Sequence, residues 1–110
     1  MRSMVRSVTP ARHEVPEVDG PALEAALAAE RALSAARAAG ADRWVDYLGP
    51  LPGRLRDDPI PGLRAVARLA RSAYGPKDSI RDVLPETVTE PLLAAIDRLL
   101  KAIARFEAHR

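Results

Sequence analysis

Toward the end of the chain, Leu92, Ile96, Leu99, Ile103 and Phe106 recur at spacings of four, three, four and three. An α-helix returns to the same face every three to four residues, whereas a strand does so every two, so this pattern allows a helix and little else. Leu93 and Leu100 widen the stripe, and Asp97 stands four residues before Lys101, a spacing that lets the two pair. The helix is predicted to begin near Thr87 or Thr89, with Glu90 and Pro91 in its first turn. There an acid opposes the helix dipole and a missing N–H costs nothing. Two heptads are too few for a coiled coil, so the seam is expected to pack inside the domain.

Glycines and prolines divide the rest of the chain. Asp19-Gly20-Pro21 is predicted to open a first helix that runs to about Ala39 and stops at Gly40. On a helical wheel Leu23, Leu27 and Leu33 make one broad side, while Ala25, Ala28, Ala29, Ala32, Ala36 and Ala39 cover the other. Such a helix is apolar on two sides. Its alanine face suits close approach of a second helix, within the chain or from another copy. A short helix from Asp42 takes in Trp44, Val45 and Leu48, and Gly49-Pro50-Leu51-Pro52-Gly53 then forms a rigid turn. Asp57-Asp58-Pro59 starts a third helix that ends at Gly75-Pro76. Leu63, Val66, Ala67, Ala70, Ala73 and Tyr74 lie on its inner side, and Arg64, Arg68 and Arg71 on its outer side. Ser79-Ile80-Arg81-Asp82 has the form of a capping box, in which the serine hydroxyl accepts a backbone N–H while the aspartate reaches back.

These segments predict an all-α fold, a compact bundle of about four main helices plus a short helical turn. Residues 1–18 form a disordered N-terminal tail ahead of a single helical domain over 19–110. Only four of the 110 residues are aromatic, so the core must be built from Leu, Ile, Val and Ala, which suits packed helices better than sheets.

The absence of cysteine excludes disulfides, thiolate chemistry and cysteine-held zinc. Both histidines, His13 and His109, stand near the chain's ends, away from any rigid site. The adjacent carboxylates of Asp57 and Asp58 precede a proline at once and suit helix capping better than a metal ion. No serine or threonine sits in a nucleophile elbow, and no glycine loop cradles a phosphate. The expectation is therefore no enzyme, no catalytic residue, no metal and no cofactor. No apolar run is long enough to span a bilayer, and the first 18 residues lack the apolar stretch of a signal peptide, which points to a cytoplasmic protein with no membrane partner.

The 17 basic residues against 15 acidic ones leave a formal charge of +2. Between Arg54 and Arg81 seven basic residues face only Asp57, Asp58 and Asp78, and the Arg64, Arg68 and Arg71 face could lie along a phosphate backbone. Against nucleic acid, the chain has no Asn or Gln to read bases, and a helix in an arginine-rich composition shows such a face in any case.

Gly40, Trp44 and Leu48, together with Tyr74-Gly75-Pro76-Lys77-Asp78-Ser79-Ile80-Arg81-Asp82-Val83, resemble a family of small bacterial all-helical proteins of unknown function. That family has a Leu-rich first helix, a Trp-containing middle segment and an aromatic-Gly-x-x-Gly-Ser-apolar-x-Asp turn. The resemblance spans residues 22 to 106 and departs from the family at Pro76, Asp78 and the Gly-Pro breaks near residue 50. It implies an all-helical fold, no established activity, and Ser79 and Asp82 as the characteristic polar pair, here a structural cap. The functional expectation is a protein–protein interaction module, such as a small accessory or immunity-type partner, with Trp44, Tyr47 and Tyr74 as candidate anchors. A homodimer through the alanine face is its nearest rival, and nucleic-acid binding by the arginine face is the alternative.

Overall fold

The computed structural model describes residues 10–109, so residues 1–9 of the tail expected over 1–18 lie outside them. Five α-helices follow one another: α1 (Pro16–Ala38), α2 (Asp42–Leu48), α3 (Leu51–Asp57), α4 (Ile60–Arg71) and α5 (Glu86–Ala108). Single 3-10 turns stand at Arg12–Glu14, Ser72–Tyr74 and Ile80–Asp82, and there is no strand among the described residues. The all-α bundle predicted from the sequence is the fold.

Helices α1 and α5 are the frame. Each has 23 residues, about 35 Å of helix, and they pack along one another. They run antiparallel: Glu24 of α1 meets Arg98 of α5, while Glu17, a turn or two earlier, shares a cleft with Arg105. The alanine side of α1 makes this possible. Ala22, Ala25, Ala26, Ala29, Ala32 and Ala36 are almost fully buried, and side chains that small let α5 and α3 approach closely. From the other side Leu92, Ile96, Leu99 and Ile103 of α5 insert, each shut off from water and each contributing about 1.5–3 kcal/mol of burial. Helices α3 and α4 close the bundle with Leu51, Leu55, Ile60, Leu63 and Val66.

Helix α1 begins at Pro16, one turn before Asp19. Val15 and Val18 are buried, so the segment expected to be mobile is held by core contacts from Val15 onward. Arg12, its side chain only 11% exposed, clamps the preceding turn: Nε donates to Asp19 Oδ1 at 2.8 Å and a terminal nitrogen donates to the Asp58 carbonyl at 2.8 Å. Pro21 consequently lies in the second turn of α1, as Pro91 does in α5, and neither supplies the N–H that would close on the carbonyl four residues back. At the other end α1 stops where the sequence placed the stop. Gly40 adopts φ 65°, its N–H reaches the Arg37 carbonyl at 3.1 Å, and the Ala41 N–H reaches Ala36 at 2.9 Å, the paired bonds of a Schellman ending.

The segment read as a rigid turn at residues 49–53 is instead the junction of α2 with α3. Pro50 caps α3 and Pro52 occupies its first turn, where a helix needs no donor, so both prolines are compatible with helix. Leu51 and Leu55 then fall on one face and bury against α1. Asp97 also departs from expectation. It pairs at 3.1 Å with Arg71 of α4 and so ties two helices together, where pairing with Lys101 along α5 was expected.

Candidate interaction surface

The aromatic anchors do not share a surface. Trp44 is 4% exposed and Tyr74 8%, so both belong to the core. Trp44 takes Tyr47 edge-on, with ring centroids 5.3 Å apart, and the Arg43 guanidinium lies 4.9 Å from its ring. Tyr47 is half-buried and its hydroxyl is engaged, donating to the Leu69 carbonyl with Ser72 Oγ at 3.0 Å. The Tyr74 hydroxyl donates to the Thr89 carbonyl, and the Arg81 and Arg71 guanidinium groups stand 5.3 and 6.0 Å from its ring. Burial pushes the Tyr74 phenol well above the ordinary tyrosine value, and the nearby Glu90 adds to the shift while the two arginines oppose it. A domain with four aromatics has used two of them as filling.

The basic face is largely occupied. Arg64 is ion-paired with Glu107 of α5, Arg71 with Asp97, Arg81 with Glu90 at 2.8 Å, Arg56 with Glu30 and Arg54 with Asp58. Four of these carboxylates come from α1 and α5, three of them far from their arginines in sequence, and they balance the local excess of positive charge counted along the chain. Arg68 stays exposed on the outer side of α4. The mutual attraction of Arg81 and Glu90 shifts both: the guanidinium is raised and the carboxyl is lowered, each chiefly by their shared hydrogen bond.

Ser79 and Asp82 make the cap expected of them. Ser79 Oγ accepts the Arg81 N–H at 3.1 Å, and the Ser79 N–H donates to Asp82 Oδ2 at 3.2 Å. Ser79 is itself buried and Asp78 just before it takes φ 51°, so the pair fixes a tight corner. His13 is exposed in the first 3-10 turn, and His109 Nδ1 lies 2.7 Å from the Arg105 carbonyl. Among the described residues no three metal-ligating side chains converge. No helix among them is long and apolar enough to cross a membrane.

What stands out is the outward side of α1. Leu33 is buried, but Leu23 and Leu27, which the wheel places beside it, are 41% and 55% exposed. Leu27 rises between two shallow grooves. One, about 440 Å³, is lined by Leu27, Glu30, Arg31 and Ser34; the other, about 210 Å³, runs along the seam with α5 past Glu24, Pro91, Ala95 and Arg98. The flanking ion pairs are open ones, Glu24 with Arg98 at 3.6 Å and Glu30 with Arg56 at 3.9 Å, all four side chains about half exposed or more. The sequence signals that α1 is apolar on two sides; which leucines lack cover follows only once α3 and α5 are in place. No protein-family model, curated protein or solved structure matches this chain.

Proposed function

We propose that this protein is a non-enzymatic protein–protein interaction module of the cytoplasm, a small accessory or immunity-type partner that covers a site on its target, with the outward side of α1 as its contact surface. The observation that carries this reading is the exposure of Leu23 and Leu27 on a long, well-anchored helix. A rigid helix can present apolar knobs without an ordering cost, and a rim of both charge signs selects a partner. The resemblance to small bacterial helical proteins brings no activity with it and fits the same reading. The alternative, nucleic-acid binding through Arg64, Arg68 and Arg71, has less to recommend it because two of the three arginines face carboxylates at close range.

Affinity capture from source cells with the full chain tests the proposal. A single defined protein is expected to come down with the wild type and to be lost with Leu23→Glu/Leu27→Glu, whose helical circular dichroism and melting should be unchanged since both sites face water. Capture that survives the double substitution would move the contact elsewhere.

A further inference from the structure

We propose that the chain cuts itself at the Asp58–Pro59 peptide bond, the Asp58 side chain attacking its own main-chain carbonyl while Arg12 holds the carbonyl oxygen. This is a single event within one chain, separate from the contact surface on α1. Asp58 and Pro59 form the non-helical junction between α3 and α4, and they are the one Asp-Pro pair in the sequence. The Arg12 side chain, 11% exposed, donates through Nη1 to the Asp58 carbonyl oxygen at 2.8 Å. A buried positive charge thus sits where negative charge develops when that carbonyl is attacked. Arg12 Nη2 is buried with no partner among the described residues. The Asp58 carboxylate, expected to cap α4, does not do so: no side chain caps that helix, and its start holds Pro59 and Pro61 where N–H donors would stand. Asp58 Oδ2 pairs instead with Arg54 at 3.2 Å, in a contact open to water that holds it weakly.

The chemistry consumes water and nothing else. A carboxyl oxygen of Asp58 bonds to the Asp58 carbonyl carbon and closes a five-membered ring, so the two reacting groups are held together by the residue itself. The C–N bond to Pro59 breaks, the carboxyl proton passes to the proline nitrogen, and Pro59 leaves as a secondary amine. Water then opens the cyclic anhydride, and Asp58 is left with a terminal carboxyl group beside its side-chain one. The new terminal carboxylate offers Arg12 a second oxygen. Nη2 thereby gains in the product the partner it lacks before the cut, and a contact with a neutral carbonyl becomes a charge-assisted fork. The products, residues 1–58 with α1 to α3 and residues 59–110 with α4 and α5, stay joined by the packing of α1 on α5.

Incubation of the purified full chain in mildly acidic buffer, followed by mass spectrometry of the denatured products, tests this. Fragments 1–58 and 59–110 are expected, formed at least about tenfold faster by the folded chain than by the same chain unfolded in urea at the same pH. Asp58→Ala should abolish the cut. Arg12→Gln should remove the advantage of the folded state, and Arg12→Lys, which keeps the charge opposite Asp19, should recover part of it. A wild-type chain that cuts no faster folded than unfolded would overturn the inference, a comparison that needs no Arg12 variant to fold. A folded Arg12→Gln chain that keeps the wild-type rate, or a folded Asp58→Ala chain that is still cut at this bond, would overturn it as well.

Discussion

Tyr74 shows how far a single residue's role could be taken from sequence. Its position on the inner side of the third helix is legible there, because Leu63, Val66, Ala67 and Ala70 precede it at helical spacing. Its hydroxyl partner is not, since the Thr89 carbonyl reaches it only through packing of α4 on α5. The same is true of Arg12, which charge and proline content place in a mobile tail and the fold places in a clamp between Asp19 and the Asp58 carbonyl. By contrast Ser79 and Asp82 were readable because a capping box is a local device that needs only four residues. The Tyr74 environment carries a pH dependence. Its phenol is buried and neutral in the folded chain, whereas in the unfolded chain it ionises near pH 10.0. The stabilisation from the neutral, bonded phenol is therefore complete below pH 10.0 and is lost as the pH rises beyond it, because the unfolded state gives up the proton first. Urea unfolding between about pH 8 and 11 should show wild-type stability falling at the alkaline end, with a flatter curve for Tyr74→Phe from a lower start. A phenolate of Tyr74 that appears in the ultraviolet near pH 10.0 with the helical signal intact would contradict this.

At the scale of elements, periodicity located the long helices and local chemistry located their ends only in part. Helix α5 was plain because its stripe is unbroken, and Gly40 marked the end of α1 because a left-handed residue there favours glycine. Helix α3 was missed for a physical reason. Two prolines and two glycines in five residues weigh toward a turn, and only the burial of Leu51 and Leu55 against α1 repays the poor propensity of Gly53. The early starts of α1 and α5 have the same origin, since tertiary cover over Val18 and Thr89 outweighs a proline at the sixth position. The two glycines thus give opposite expectations. A Cβ at Gly53 meets nothing within 4 Å and the residue is helical, so Gly53→Ala should raise stability by about 0.5–1 kcal/mol. At Gly40 there is equal space, but φ is 65°, so Gly40→Ala should lower stability by about 1–2 kcal/mol. Chemical denaturation of the two variants side by side checks both signs, and destabilisation by Gly53→Ala would mean that α3 is not a helix in solution.

For the whole molecule, the decisive quantity is how charge is distributed once the chain is folded. Along the sequence the stretch from Arg54 to Arg81 is basic, and that is what raised nucleic acid as an alternative. Folding draws Glu30, Glu90, Asp97 and Glu107 onto the same region, and a local excess that looks like a phosphate-binding stripe becomes a set of interhelical ion pairs. These pairs are exposed and screened by water and salt, so their importance lies less in stability than in the field they cancel. Binding to a phosphate backbone would have to break several pairs before gaining counterion release, which leaves Arg68 as the exposed arginine of that face without a carboxylate at hand among the described residues. The pairing also decides how to test the point. Reversing Arg64 or Arg71 would set like charges against Glu107 or Asp97 and damage the α4–α5 contact, whereas Arg68→Glu changes the outward charge alone. Gel-shift titration with duplex DNA and with RNA at physiological salt is expected to show no retained complex for the wild type, and any retention at low salt should vanish as salt is added. A complex that persists at physiological salt and is abolished by Arg68→Glu, with the fold intact, would establish the arginine face as a nucleic-acid surface.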